Sequence, residues 1–113
     1  MTVDVTDLDR SCAFYSAALG VHSLRRDGTY QYLSEIAPGV KLILQQTTDA
    51  KSVKNRVHLE LLGDDDLVEA ILAAGGTRRW SVEESDYALT VIADPDDNEF
   101  CIVTRPSPEL AVN

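Results

Sequence analysis

Cysteine is scarce in this chain, with two in 113 residues. That is too few for the disulfide framework of a small secreted domain. Cys12 falls in an expected helix and Cys101 in an expected strand, which points to a reducing compartment. Positive charge is short as well: ten Lys and Arg stand against 19 Asp and Glu, a formal net charge of −9. Such a surface repels nucleic-acid phosphates and anionic lipid, so neither nucleic acid nor a membrane is expected as a partner. No apolar run approaches the roughly 20 residues that cross a bilayer. Asp4 and Asp7 stand where a signal peptide would carry positive charge, and a cytoplasmic location is the expectation. Apolar side chains are present in ordinary measure, 44%, enough for one domain with its own core.

The most informative stretch is Asp94-Pro95-Asp96-Asp97-Asn98-Glu99-Phe100-Cys101-Ile102-Val103. An acidic Pro/Asn turn runs into alternating apolar residues, the pattern of a tight turn opening a half-buried strand. A weaker copy is Ala37-Pro38-Gly39-Val40-Lys41-Leu42-Ile43-Leu44. The offset from Pro38 to Pro95 is 57 residues. At that offset Asp7 falls on Asp64, Phe14 on Ile71, Tyr15 on Leu72 and Tyr30 on Tyr87, so the chain reads as two halves of similar build.

In the first half, residues 2–6 alternate as a strand with one buried face. Asp7 or Asp9 caps a helix whose apolar positions are Leu8, Cys12, Tyr15 and Leu19, with Phe14 beside them, and Gly20 ends it. Strands follow near 21–26, 30–36 and 40–46, joined by Asp27-Gly28 and Pro38-Gly39 turns. A polar stretch over 48–55 links the halves. The second half repeats the order: a strand over 56–62, and a helix over 64–74 with Leu67, Val68, Ile71 and Leu72 on one face, stopped by Gly75-Gly76. Strands near 77–82, 87–93 and 99–104 complete it. Pro106 and Pro108 lead into a loosely held tail. The expected class is α+β: module one over about 1–47 and module two over about 56–105, in one domain. Two tandem βαβββ modules would form a cupped mixed sheet with the helices on its outer face.

These residues resemble the vicinal-oxygen-chelate superfamily of glyoxalase I, bleomycin-resistance proteins and extradiol dioxygenases, and within it the small bacterial glyoxalase-like domains. The carriers are Val3-Asp4-Val5-Thr6-Asp7, Phe14-Tyr15 and Leu19-Gly20, then Lys54-Asn55-Arg56-Val57-His58-Leu59-Glu60-Leu61, and Asp94-Pro95 with Asn98-Glu99-Phe100-Cys101. The resemblance implies paired βαβββ modules and a homodimer. One departure is Asp97, where the family usually has Gly; Asp tolerates the left-handed conformation better than most residues.

Strand alternation assigns the side chains to faces. Val57, Leu59 and Leu61 are expected towards the helices, and Arg56, His58, Glu60 and Leu62 on the other side. Phe100 and Ile102 likewise face the helices, leaving Glu99 and Cys101 opposite. Thr2, Asp4 and Thr6 of the first strand and Ile43 and Gln45 of the fourth also point into the cup. The resemblance implies metal ligands at four corresponding positions, typically His, Gln or Glu. They fall on His58, Cys101, Ile43 and Thr2, or just before Met1. Ile43 cannot bind metal, and a catalytic zinc needs about three protein ligands. No cofactor is therefore expected, against the divalent Zn, Ni, Mn or Fe of metal-using members.

Two functions stand open. One is a bleomycin-resistance-like protein holding a small molecule without metal, lined by Asp4, Ile43, Gln45, Arg56 and Cys101. The other is a glyoxalase-like lyase, isomerase or dioxygenase-type enzyme. There His58 is metal ligand or general acid/base and Glu60 orients it. Each residue also has a plain structural use: His58 hydrogen-bonded to Glu60 or to backbone, and Cys101 as a small apolar strand residue. Trp80, Tyr30, Tyr32 and Tyr87 serve either a pocket or packing, and His22 is expected to be exposed.

Overall fold

Each helix begins on an aspartate. In the computed structural model, which describes residues 1–106, Asp7 caps helix α1 (Leu8–Leu19) by accepting from the Arg10 amide. Asp64 caps α2 (Asp65–Ala73) by accepting from the Leu67 amide. In each case a side-chain oxygen satisfies an amide of the first turn that has no helical partner. The two caps are the residues that the 57-residue repeat superimposes.

The first module runs β1 (Thr2–Val5), α1, β2 (Ser23–Asp27), β3 (Tyr30–Ala37) and β4 (Val40–Gln46). The second runs β5 (Glu60–Leu62), α2, β6 (Thr77–Glu83), β7 (Ala88–Ala93) and β8 (Glu99–Arg105). Each module builds its own four-stranded mixed sheet, ordered β1-β4-β3-β2 and β5-β8-β7-β6. In both, the first strand lies parallel to the last and the other pairings are antiparallel. The chain divides into compact units at Ser52/Val53. The expected class and the repeated βαβββ order hold. The tail expected from Pro108 lies outside the described residues.

In the first unit, α1 packs on β3 and β4. Val5, Leu33, Leu42 and Leu44 are fully buried. The helix buries Leu8, Ser11, Phe14, Tyr15 and Ala18, which corrects the expected stripe of Leu8, Cys12, Tyr15 and Leu19. Cys12 and Leu19 are half-buried instead. The true stripe advances three or four residues per turn, with Phe14 and Tyr15 sharing one turn, and includes the small Ser11 and Ala18, which let the helix approach closely. A scan for large apolar residues passes over them.

In the second unit, Gly76 sits where Ile71 of α2 and Ile92 of β7 converge. A Cβ there would lie 2.9 Å from Ile92 Cγ2 and 3.0 Å from the Ile71 carbonyl oxygen. The carbonyl belongs to the helix backbone and cannot swing aside. Gly76→Ala is therefore expected to cost about 1–3 kcal/mol by overpacking, read as a lower denaturant midpoint with unchanged slope.

Strand β5 is shorter than the alternation over 56–62 predicts. The Cys101 amide bonds to the Leu59 carbonyl, and the next rung back would join the Glu99 amide to Val57. Instead the Glu99 amide donates to Asn55 Oδ1 at 2.9 Å. That side chain ends the ladder, and the residues before Leu59 leave the sheet. Val57, expected on the helix side, is 83% exposed.

Candidate functional site

The side of each sheet turned away from its helix carries the candidate residues. In the second sheet the register places Glu60 beside Cys101, Cys101 beside Val91, and Val91 beside Trp80, one row across four strands. Ile102 and Ile92 approach Gly63 and Gly76 at the ends of α2, so Cys101 and Val91, next in alternation, face the opposite way. A register shift between Arg78 and Trp80 turns Trp80 to this side, while Arg78 reaches Glu69 of α2. Leu89, Val91, Cys101 and Val103 form a buried apolar cluster, with Val82 and Tyr87 packed against it. Glu60 is exposed at its edge and has no ion-pair partner among the described residues.

Five groups interact electrostatically around this row: Cys101, Tyr87, Glu60, Glu99 and Lys54. Burial pushes the Cys101 thiol up most, the Glu60 carboxylate pushes it further, Lys54 pulls it down, and Glu99 adds a smaller upward push. Lys54 is drawn off towards Glu99, its Nζ 3.4 Å from Glu99 Oε1. The Tyr87 phenol is likewise raised, first by burial and then by Glu60 and Cys101. Cys101 is thus a protonated thiol at neutral pH, the reverse of a nucleophilic thiolate. Activation of this thiol by His58, the route open from sequence, is not among the causes. Tyr87 is the neighbour that sequence reading left among packing aromatics; only the fold back of β7 onto β8 brings it here.

His58 and Arg56 lie in the segment before β5, and both are exposed. Neither side chain makes a hydrogen bond or ion pair among the described residues, so the expected bond from His58 to Glu60 is absent there. The reason is again Asn55, which releases this segment from the sheet. His22 is exposed, as expected.

In the first sheet, Asp4 pairs with Gln45 and Thr2 with Ile43 across β1 and β4. Gln45 in turn faces Tyr30, and Ile43 faces Tyr32. Asp4 and Tyr30 are exposed, and Ile43, Gln45 and Tyr32 are half-buried. The opposite side carries the buried Leu42 and Leu44, and Arg26, which reaches Asp9 of α1 at 2.6 Å.

The turn before β8 is built on Asp94, 1% exposed. Its Oδ1 accepts from the amides of Asp96 (2.8 Å) and Asn98 (2.9 Å), and its Oδ2 accepts from Asn98 Nδ2 at 3.0 Å. Asp97 in the same turn has φ 67°, the left-handed geometry that Asp tolerates better than most residues. Its carboxylate meets Arg79 at 2.6 Å on the surface. Gly at this position relieves roughly 0.5–1 kcal/mol of backbone strain and forfeits a surface ion pair of similar worth. Asp97→Gly is therefore expected to leave the melting temperature nearly unchanged, and Asp97→Val to lower it by several degrees in a thermal scan.

Over residues 1–103 the sequence matches the glyoxalase-like domain family. The chain belongs to that family. With it comes membership of the vicinal-oxygen-chelate superfamily that the sequence resembled. Solved glyoxalase-like structures share the fold. A glyoxalase-related enzyme from Fulvimarina pelagi superposes with a TM-score of 0.73 at 21% identity, covering 94% of this chain and 86% of that one. A glyoxalase/bleomycin resistance protein from Albidiferax ferrireducens gives 0.66 at 23% identity, with 93% and 95% covered. The fosfomycin resistance protein FosX from Listeria monocytogenes, a mutant solved with Mn(II) and 1S,2S-dihydroxypropylphosphonic acid, gives 0.75 at 18% identity, with 93% and 86% covered. No curated protein matches in sequence. Among the described residues of this glyoxalase-like chain, no three His, Cys, Asp or Glu side chains stand close enough together to hold a metal ion. No described helix is long and apolar enough to cross a membrane.

Proposed function

We propose that this glyoxalase-like chain binds a small molecule on the helix-free side of its sheets, without the four-ligand metal centre of metal-using relatives. It acts as one domain spanning residues 1–113, as a cytoplasmic homodimer with no nucleic-acid or membrane partner. The observation that carries the reading is the donor chemistry at the family's ligand positions. Cys101 sits at one of them, 7% exposed in an apolar cluster with Leu89, Val91 and Val103, and among the described residues no three His, Cys, Asp or Glu side chains gather to hold a metal. Ile43 offers no donor at the second such position, and His58 by itself cannot make a site. The donor set does not fit the group. Asp4, Gln45, Arg56 and Glu60 then serve as polar contacts to a ligand, with Ile43 and Cys101 as apolar ones.

Elemental analysis after incubation with Zn²⁺, Ni²⁺, Mn²⁺ or Fe²⁺ tests this. Metal well below one ion per chain is expected under every condition. A near-stoichiometric ion that disappears in His58→Ala would overturn the reading. One observation favours a second function, a lyase or isomerase: the His58 ring is exposed and, among the described residues, not tied to another group, which suits it to serve as ligand or as general acid/base. That same metal result would put the enzyme first. A screen of small molecules by amide chemical shifts tests the binding reading itself.

A further inference from the structure

Among the described residues, β1 and β2 are the edges of the first sheet and β5 and β6 those of the second. An edge strand leaves a row of amides and carbonyls unpaired, which invites another strand unless the edge is short, bulged or charged. β1 and β5 are short, four and three residues. The regular part of β2, after its register shift, is Arg25-Arg26-Asp27, wholly charged. β6 differs. It runs seven residues, and its register shift comes early, between Arg78 and Trp80. From Trp80 to Glu83 it pairs regularly with β7, and no described residue takes its outer row. Trp80 is 54% exposed on this edge.

The order of residues along β6 is its own complement. Arg78 and Arg79 lead, Trp80, Ser81 and Val82 follow, and Glu83 and Glu84 close. When two copies pair antiparallel, facing residues both turn their backbone groups to the seam or both turn them away. A symmetric pairing is therefore centred on a residue. Centred on Ser81, it sets Trp80 opposite the partner's Val82, and Arg79 and Arg78 opposite the partner's Glu83 and Glu84. Centring on Trp80 sets Arg79 against Ser81, and centring on Val82 sets Glu83 against Ser81; neither brings opposite charges face to face.

The charges are available for this use. Glu83 has one partner, Arg105 at 4.0 Å, and its side chain is largely in solvent. The Glu84 carboxylate has none among the described residues. Arg78 is well occupied by Glu69, Ser81 and Thr90. Arg79 gives one terminal nitrogen to Asp97, and a guanidinium with five N–H donors can bridge a second carboxylate. Val82 packs against the apolar cluster of the second sheet, so the partner's Val82 offers Trp80 the rim of that cluster.

We infer that β6 is the surface on which a second copy of this chain docks, antiparallel and edge to edge, with the two-fold axis at Ser81 and Arg79 facing the partner's Glu83. The main chain supplies the hydrogen bonds, Trp80 the apolar anchor, and the Arg79 and Glu83 pairs the register. This names the contact surface of the homodimer proposed above and rests on that reading. One strand pairing is small for a specific interface, so a dissociation constant on the order of micromolar is expected.

Trp80 is the one tryptophan of the sequence, so its emission reports this edge. Over a concentration series of the full chain, sedimentation velocity is expected to show monomer passing to dimer while the Trp80 emission moves to shorter wavelength in step. Arg79→Glu and Glu83→Arg are each expected to weaken the dimer at least ~10-fold, because each sets like charges face to face twice across the axis. Mixed one to one, the two variants are expected to pair with each other within about 3-fold of the parent affinity, since every facing pair is again opposite. Thermal melts establish that each variant is folded.

A parent that dimerises, with folded Arg79→Glu and Glu83→Arg dimerising as tightly, overturns the inference and leaves the homodimer reading to another surface. So does a mixture of the two variants that stays monomeric where the parent is a dimer. A parent that is monomeric throughout the series takes both readings down together.

Discussion

Asp94→Ala is expected to destabilise the protein by about 3 kcal/mol, the largest single-residue effect anticipated here. The carboxylate is 1% exposed and accepts from two backbone amides and one side-chain amide of its own turn. Truncation deletes the acceptors and leaves the donors. An orphaned buried donor costs about 1–3 kcal/mol, and partial access of water to Asp96 and Asn98 trims the sum. For a chain of this size, 3 kcal/mol corresponds to a fall of roughly 10 °C in melting temperature. Asp94→Asn keeps one acceptor and turns the other into a donor facing Asn98 Nδ2, so an intermediate loss of about 1–2 kcal/mol is expected. Urea denaturation of the three proteins checks the order. An Asp94→Ala midpoint within error of the parent's would show that the turn is held by its backbone bonds alone.

The second large effect is chemical. With a maleimide near neutral pH, Cys12 is expected to label about 100-fold faster than Cys101 in the native protein, and the two to label alike once unfolded. Cys12 is half-buried on α1, whereas Cys101 is 7% exposed and its thiol is raised by burial and by Glu60 and Glu99. The alkaline consequence has a definite sign. A thiol or phenol whose pKa is raised by folding stabilises the native state fully below its unfolded pKa, and that contribution is lost as pH rises through the folded value. Cys101 and Tyr87 both shift this way, so stability is expected to fall with alkaline pH. Glu60→Gln removes a charge that raises both groups. It is expected to lower both titrations, read for Tyr87 by phenolate absorbance and for Cys101 by the pH profile of labelling.

Much of the fold was legible because its signals are local. An aspartate before an apolar period announces a helix start, and Asp7 and Asp64 each cap one. Pro38-Gly39 and Asp27-Gly28 announce hairpin turns, and Gly39 and Gly28 take the positive φ those turns require. The illegible parts depend on partners distant in sequence. Alternation over 56–62 runs unbroken in the sequence, yet Asn55 takes the rung that Val57 needed. The side taken by Trp80 depends on a register shift against β7, which no one-strand pattern records. The proximity of Tyr87 to Glu60 and Cys101 is likewise a property of three strands together. The sequence therefore named chemical types for the candidate site more readily than neighbours.

The parallel pairing of first strand with last has a consequence for synthesis. Thr2 waits for Ile43 and Glu60 for Cys101, so neither sheet can finish until nearly all of its module has left the ribosome. At roughly 5–20 residues per second, each first strand spends several seconds without its partner. The hairpins β3–β4 and β7–β8, whose pairings are local, are free to form first and offer their edges to the waiting strand. On this order of events β1 and β5 dock last. Chains stalled a few residues short of β4 or β8 would then expose an open sheet edge to chaperones and to one another.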